Sequence, residues 1–162
     1  MLQADLICSN VQAWIASRQA FIDANARPEI IGVPDDAWAL TGEVAVGVCW
    51  FQEKVVPGED GSAVIGGAGE MVTLELAVVI RALVLVNTAA SVNDPERGAG
   101  RLAADLLSKV DGLRRADVGF ADIGTCVLGF VSMTVVPHPS REPGAAGPAA
   151  IVIRFVTSAF EQ

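Results

Sequence analysis

The strongest pattern in the chain is the alternation along Met71–Val86. Val72, Leu74, Leu76, Val78, Ile80, Ala82, Val84 and Val86 recur at every second position, while Thr73, Glu75 and Arg81 interrupt the opposite set. A strand over these residues has one apolar face and one mixed face. At about 3.3 Å per residue it would extend roughly 50 Å, well beyond an ordinary strand, so it is expected to reach past its own domain. A membrane-spanning helix is the rival reading of so apolar a run. Spanning takes about 20 residues, however, and this run stops at Asn87 with Glu75 and Arg81 inside it.

The remaining pattern supplies the other elements. Residues 3–23 read as one helix, with Leu6, Ile7, Val11, Trp14, Ile15 and Ile22 forming an apolar stripe suited to lie on a sheet. Arg27-Pro28 ends it, residues 29–33 suggest a short strand, and Pro34-Asp35-Asp36 reads as a turn. Residues 43–53 alternate Val44, Val46, Val48 and Trp50 against Ala45, Gly47, Cys49 and Phe51, a strand with two apolar sides. Residues 54–70 join it to the long strand through a glycine-rich stretch with an Asp60-Gly61 turn signal. Such a length suggests a hairpin that projects from the body, with Val64 and Ile65 available to pack on a neighbour.

After a loop over 87–93, Asp94-Pro95-Glu96 carries the signals of a helix start: a capping carboxylate, a proline at the first position and an acid near the positive dipole end. That helix, 95–110, buries Leu102 and Leu106, with Leu107 and Val110 as further candidates, and Asp111-Gly112 closes it. A connector to Gly124 leads to a strand over 125–136, a Gly/Pro-rich excursion over 137–148 and a last strand over 149–159. Consecutive hairpins imply antiparallel pairing. The expected architecture is a single α+β domain over 1–162: an antiparallel sheet built from two long β-hairpins, two helices packed on it, and one projecting hairpin.

Composition adds a hint of assembly. A hydrophobic fraction of 52% in 162 residues and a mean hydropathy of +0.47 exceed what one small core hides, which suggests burial against other subunits. A net charge of -8 opposes tight wrapping of nucleic acid, because phosphate binding needs Lys and Arg to displace counterions. Cys8, Cys49 and Cys126 lie far apart without metal-ligand spacing and read as small buried hydrophobes in a reducing compartment. Asp5 precedes any apolar stretch and no cationic leader is present, which reads against a secretory signal.

Candidate chemistry is sparse. His138 is the only histidine and has no evident nucleophile partner, and the serines form no Gly-x-Ser-x-Gly elbow. Gly66-Gly67-Ala68-Gly69-Glu70 lacks the Lys-Ser/Thr pair of a phosphate loop, ends in a carboxylate and precedes a strand. The acidic pairs Asp35-Asp36, Glu59-Asp60 and Asp117/Asp122 have no second ligand set, so no metal or cofactor is expected. Arg114-Arg115 suits a helix C-terminus. Trp14 and Trp50 fit core positions, whereas Trp38, in an expected loop, is the better interface anchor.

The order of these elements resembles the tail terminator proteins of long-tailed bacteriophages. The features that carry the resemblance are an N-terminal helix, a strand entering a long acidic, glycine-bearing hairpin, a strand of the Met71-Val-Thr-Leu-Glu-Leu-Ala-Val-Val-Ile80 kind, and a helix introduced by Asp94-Pro95-Glu96. A second strand pair, Val127–Val136 and Ile151–Ser158, follows, and the chain ends just past it at Phe160-Glu161-Gln162. The resemblance spans nearly the whole chain but rests on order, length and pattern rather than on a catalytic motif, and the loops 54–70 and 137–148 are longer than in shorter members. It implies a homo-oligomeric, hexameric ring in the virion, assembled in the host cytoplasm at the head-proximal end of the tail. Such a ring caps the tail-tube protein, ends its polymerisation and meets a head-side connector or neck protein.

The family performs no reaction and needs no cofactor, and DNA passes through the ring without being bound. Glu59, Asp60 and Glu70 are then the candidate channel-lining residues. Trp38, Gly58, Glu59, Asp60, Val64, Ile65, Glu70 and Glu75 are the candidate subunit or tube contacts. Two other readings stay open: a different ring-forming neck, head-completion or tail-tube protein, and a small-molecule enzyme or ligand-binding α+β domain with a pocket between sheet and helices.

Overall fold

Apolar residues at helical spacing build α1, Ala4–Ala16, which buries Ala4, Ile7, Cys8, Val11 and Ile15 on one face. The helix expected to run on to residue 23 breaks after Ala16. Ser17 donates its hydroxyl back to the Trp14 carbonyl at 2.6 Å, and Arg18 turns extended (φ -75°, ψ 127°) before α2, Gln19–Asp23, resumes. Leu6, expected in the stripe, lies off the buried face of α1 and is exposed; after the break Phe21 is buried, while Ile22, also expected in the stripe, is exposed. Asn25 takes a left-handed conformation (φ 54°) and ends α2. The structure, a computed structural model, describes residues 4–55, 70–82, 92–95, 98–108, 112–113, 120–123, 126–139 and 148–161.

Six strands form one sheet: β1 (Pro28–Ile30), β2 (Val44–Val55), β3 (Glu70–Ala82), β4 (Phe120–Ile123), β5 (Cys126–Pro137) and β6 (Ala149–Glu161), in the order β1-β2-β3-β6-β5-β4. The fold is α+β, as the element order implies. Two corrections apply. The sheet is mixed rather than antiparallel, because β1 runs parallel to β2. The crossover that parallel pairing requires is supplied by residues 31–43, which include a 3-10 turn, Pro34–Ala39, where a simple turn was expected. The described helices number three rather than two, the third being α3, Ala99–Leu106.

The helix expected from Pro95 starts at Ala99, with Gly98 rather than Asp94 at the N-cap. Gly98 donates its N–H to the Asp94 carbonyl at 2.9 Å. A glycine there disfavours continuing the helix back to Pro95, since glycine costs about 1 kcal/mol against alanine in a helix interior. Leu102 and Leu106 are buried and Leu107 is partly buried, as expected; Val110 lies outside the described residues.

Strand β3 is the centre of the sheet. It pairs antiparallel with β2 from Val72 to Ala82 and with β6 from Glu70 to Arg81. The described length is paired on both edges within the chain; Leu83–Val86, the last part of the expected strand, lie outside the described residues. Leu74, Leu76, Val78, Ile80 and Ala82 point to an inner face, where Val44, Val46 and Val48 of β2 and Ile151, Ile153 and Phe155 of β6 join them. The three helices cover this face. Trp50 was expected in that core but is 41% exposed, because it lies beyond the stretch of β2, Val46–Val48, that β1 flanks, next to a bulge at Phe51.

Candidate functional site

Among the described residues, the segment around the 3-10 turn covers one end of the outer face of the sheet. Ile31, Ala37, Trp38 and Leu40, on and beside the 3-10 turn, pack over Val79, Ala150 and Val152. Asp36 fixes the start of the turn by accepting the N–H groups of Gly32 and Val33, each at 3.2 Å. Gly47 of β2 is needed beneath this segment, since a Cβ there would stand 2.3 Å from Ile31 Cδ1. Arg81, on the outer side of β3, is buried against the far end of the segment. Its Nη1 donates to the carbonyls of Leu40 (2.6 Å) and Trp38 (3.4 Å), and its Nη2 to the carbonyl of Gly42. Burial lowers the Arg81 pKa from its usual value. Gly42 itself has φ +97°, a conformation that favours glycine.

Trp38 is therefore half-buried within its own chain, in a 3-10 turn rather than in a loop, and its ring meets that of His138 at 4.7 Å. His138 also donates its backbone N–H to the Pro148 carbonyl at 3.2 Å. The histidine thus helps hold the ends of the β5–β6 excursion to the sheet. Cys49 lies on the same face and is buried; burial, and then the Asp36 carboxylate, push its thiol up to about 11. Such a thiol is a poor nucleophile near neutral pH. Cys8 is likewise buried and unbridged.

Further along the outer face the cover ends and the residues become polar. Glu75 pairs with Arg154 at 3.4 Å, and the Arg154 guanidinium lies over the Phe51 ring at 4.7 Å. Glu75 stands on a sheet face beside a cation. Of the remaining candidates, Gly58, Glu59, Asp60, Val64 and Ile65 lie outside the described residues. Glu70 is the first residue of β3, paired through its backbone with Glu161. Among the described residues no cluster of three or more His, Cys, Asp or Glu could hold a metal.

The sheet also shows a surface that periodicity alone did not single out. After a bulge near Val131, Met133 and Val135 stand on the inner side of β5, opposite buried Ile153 and Ile151 of β6. Yet Val131, Met133 and Val135 are 55%, 52% and 46% exposed. Strand β4 flanks only Cys126–Gly129, so among the described residues nothing pairs outside β5 from Val131 onward. The whole of β5, Cys126–Pro137, contains no charged residue. A signal was available in the sequence: apolar residues at 131, 133 and 135 in a strand. Missing was the knowledge that they stay exposed beyond the described helices.

A second feature is a groove of about 510 Å³ between α1 and the α2–β1 connection, lined by Ala13, Ala16, Phe21 and Ala26 with Gln12, Asn25 and Arg27 at its polar side. Among the described residues no helix is long and apolar enough to cross a membrane. No family model matches the chain, and no curated protein is significantly similar to it.

Proposed function

We propose that this chain is a structural virion protein of the tail terminator type, forming a ring that caps a phage tail tube and joins it to the head connector. The observation that supports it best is the uncharged β5 margin with Val131, Met133 and Val135 exposed, in a chain of net charge -8. Three apolar side chains in a row on a sheet margin lose solvation free energy in water and gain it when a partner covers them. Two long antiparallel strand pairs, β2 with β3 and β5 with β6, provide the rigid frame such a ring needs. On this reading Glu59, Asp60 and Glu70 are the candidate channel-lining residues, and Gly58, Glu59, Asp60, Val64, Ile65 and Glu70 are candidate tube or subunit contacts.

Incubating the purified chain with tail tubes and imaging by negative stain tests this. Rings seated on tube ends, and tubes that no longer elongate, are the expected result. A species that stays monomeric and never binds tube ends overturns it, and unlimited growth by the chain alone makes it a tube protein instead. The groove beside α1 favours one other reading, a small-molecule binding domain. Its apolar floor and the Arg27 cation fit a small apolar carboxylate, and a saturable rise in melting temperature with such ligands would favour it.

A further inference from the structure

The pairing registers line up residues from one margin of the sheet to the other. Met133 of β5 pairs with Ile153, Ile153 with Val78, Val78 with Val48, and Val48 with Ile30 of β1. These five residues form one row across the sheet on its inner side. The middle three are buried, and the two ends are exposed, Ile30 at 47% and Met133 at 52%. Both margins of the sheet thus present apolar side chains at the same level.

We infer that the β5 margin of one copy docks against the β1 margin of a second copy, head to tail, and that repetition of this contact closes the ring; the inference rests on the ring reading above. The strand directions suit it. Strand β1 runs parallel to β2, β2 antiparallel to β3, β3 antiparallel to β6, and β6 antiparallel to β5. Strand β5 therefore runs opposite to β1, and a copy shifted along the row meets its neighbour antiparallel. Charge suits it as well, because acidic copies repel and β5 brings no charge to the contact. Two different surfaces in contact make the interface heterologous, which is the kind that produces rings when the rotation closes.

Full-length Ile30→Asp and Met133→Asp, each checked for folding by circular dichroism, test the contact by sedimentation velocity under conditions where the unmodified chain assembles, free or on tail tubes. Burying an unpaired carboxylate should weaken association by about a hundredfold, so each variant alone sediments as a monomer. Mixed together, they should form a one-to-one dimer and nothing larger, since the mixture contains one intact pairing of margins. Leu6→Asp, at an exposed position on α1, should assemble like the parent. Should an aspartate variant fail to fold, Ile30→Ser and Met133→Ser should show the same pattern in weaker form. Rings formed equally well by both single variants overturn this contact and leave the ring reading standing. A mixture that gives no dimer overturns the head-to-tail arrangement, and an unmodified chain that never assembles, free or on tubes, overturns both.

Discussion

Arg81 occupies a position where a cation is costly, on the outer side of the central strand with its surface fully buried. What offsets that cost is the group of backbone carbonyls at Trp38, Leu40 and Gly42, which accept from its two terminal nitrogens while Nε finds no partner. The residue fastens the 3-10 segment to the sheet. Arg81→Ala removes these charge-assisted bonds and opens a cavity, and should destabilise the fold by about 3 kcal/mol in urea unfolding. Arg81→Lys should recover part of this, since an ammonium cannot reproduce the fork. Cys49 lies on the same face and gives a pH signature. Its folded pKa is raised from 9.0 to about 11, so between these values the folded state holds a proton that the unfolded state releases. That stabilisation is complete below pH 9 and is lost as pH climbs toward 11. The parent should lose about 2–3 kcal/mol more than Cys49→Ala over that window, read by chemical denaturation at each pH.

Between elements, the link that orders the helical layer is Arg18 with Asp105. Arg18 sits at the break between α1 and α2, and its Nε and Nη2 each meet a carboxylate oxygen of α3 at 3.0 Å while its guanidinium lies 4.9 Å from the centre of the Trp14 ring. With side chains only 19% and 27% exposed, this two-bond pair should outdo an ordinary surface ion pair. A double-mutant cycle of Arg18→Ala and Asp105→Ala should give a coupling energy of about 1–2 kcal/mol, and a coupling near zero would mean that the two helices are held by apolar contacts alone. This pair also marks the limit of reading the chain by pattern. The inner residues Val44, Val46 and Val48 of β2 and Leu74, Leu76, Val78, Ile80 and Ala82 of β3 were legible because period-two alternation survives in any strand with a buried face. The helix break was not, because Leu6 and Ile22 continue the expected period and only the extended Arg18 interrupts it. Strand β4 was missed because Phe120–Ile123 is four residues long with an acid inside, and β1 was seen without its direction, which depends on the crossover. Of the candidate residues, Glu75 and Trp38 meet Arg154 and His138, which lie 79 and 100 positions away, distances that local pattern does not bridge.

For the whole molecule, two tendencies oppose each other: apolar margins that gain by being covered, and a net charge of -8 that keeps copies apart. Their balance depends on ionic strength in a way that identifies the interface. Added salt shortens the screening length from about 10 Å at 0.1 M to about 3 Å at 1 M, which removes the repulsion between acidic copies while leaving apolar contact intact. A head-to-tail contact through Met133 and Ile30 contains no ion pair for salt to weaken. Self-association should therefore tighten, by about tenfold between low and high salt, when followed by sedimentation at fixed protein concentration. An interface built instead on complementary charges, for example between the acids Glu59 and Asp60 and the Arg114-Arg115 pair of a neighbour, would weaken over the same range. The sign of the salt dependence thus separates self-association through the sheet margins from self-association through complementary charges, even before any residue is changed.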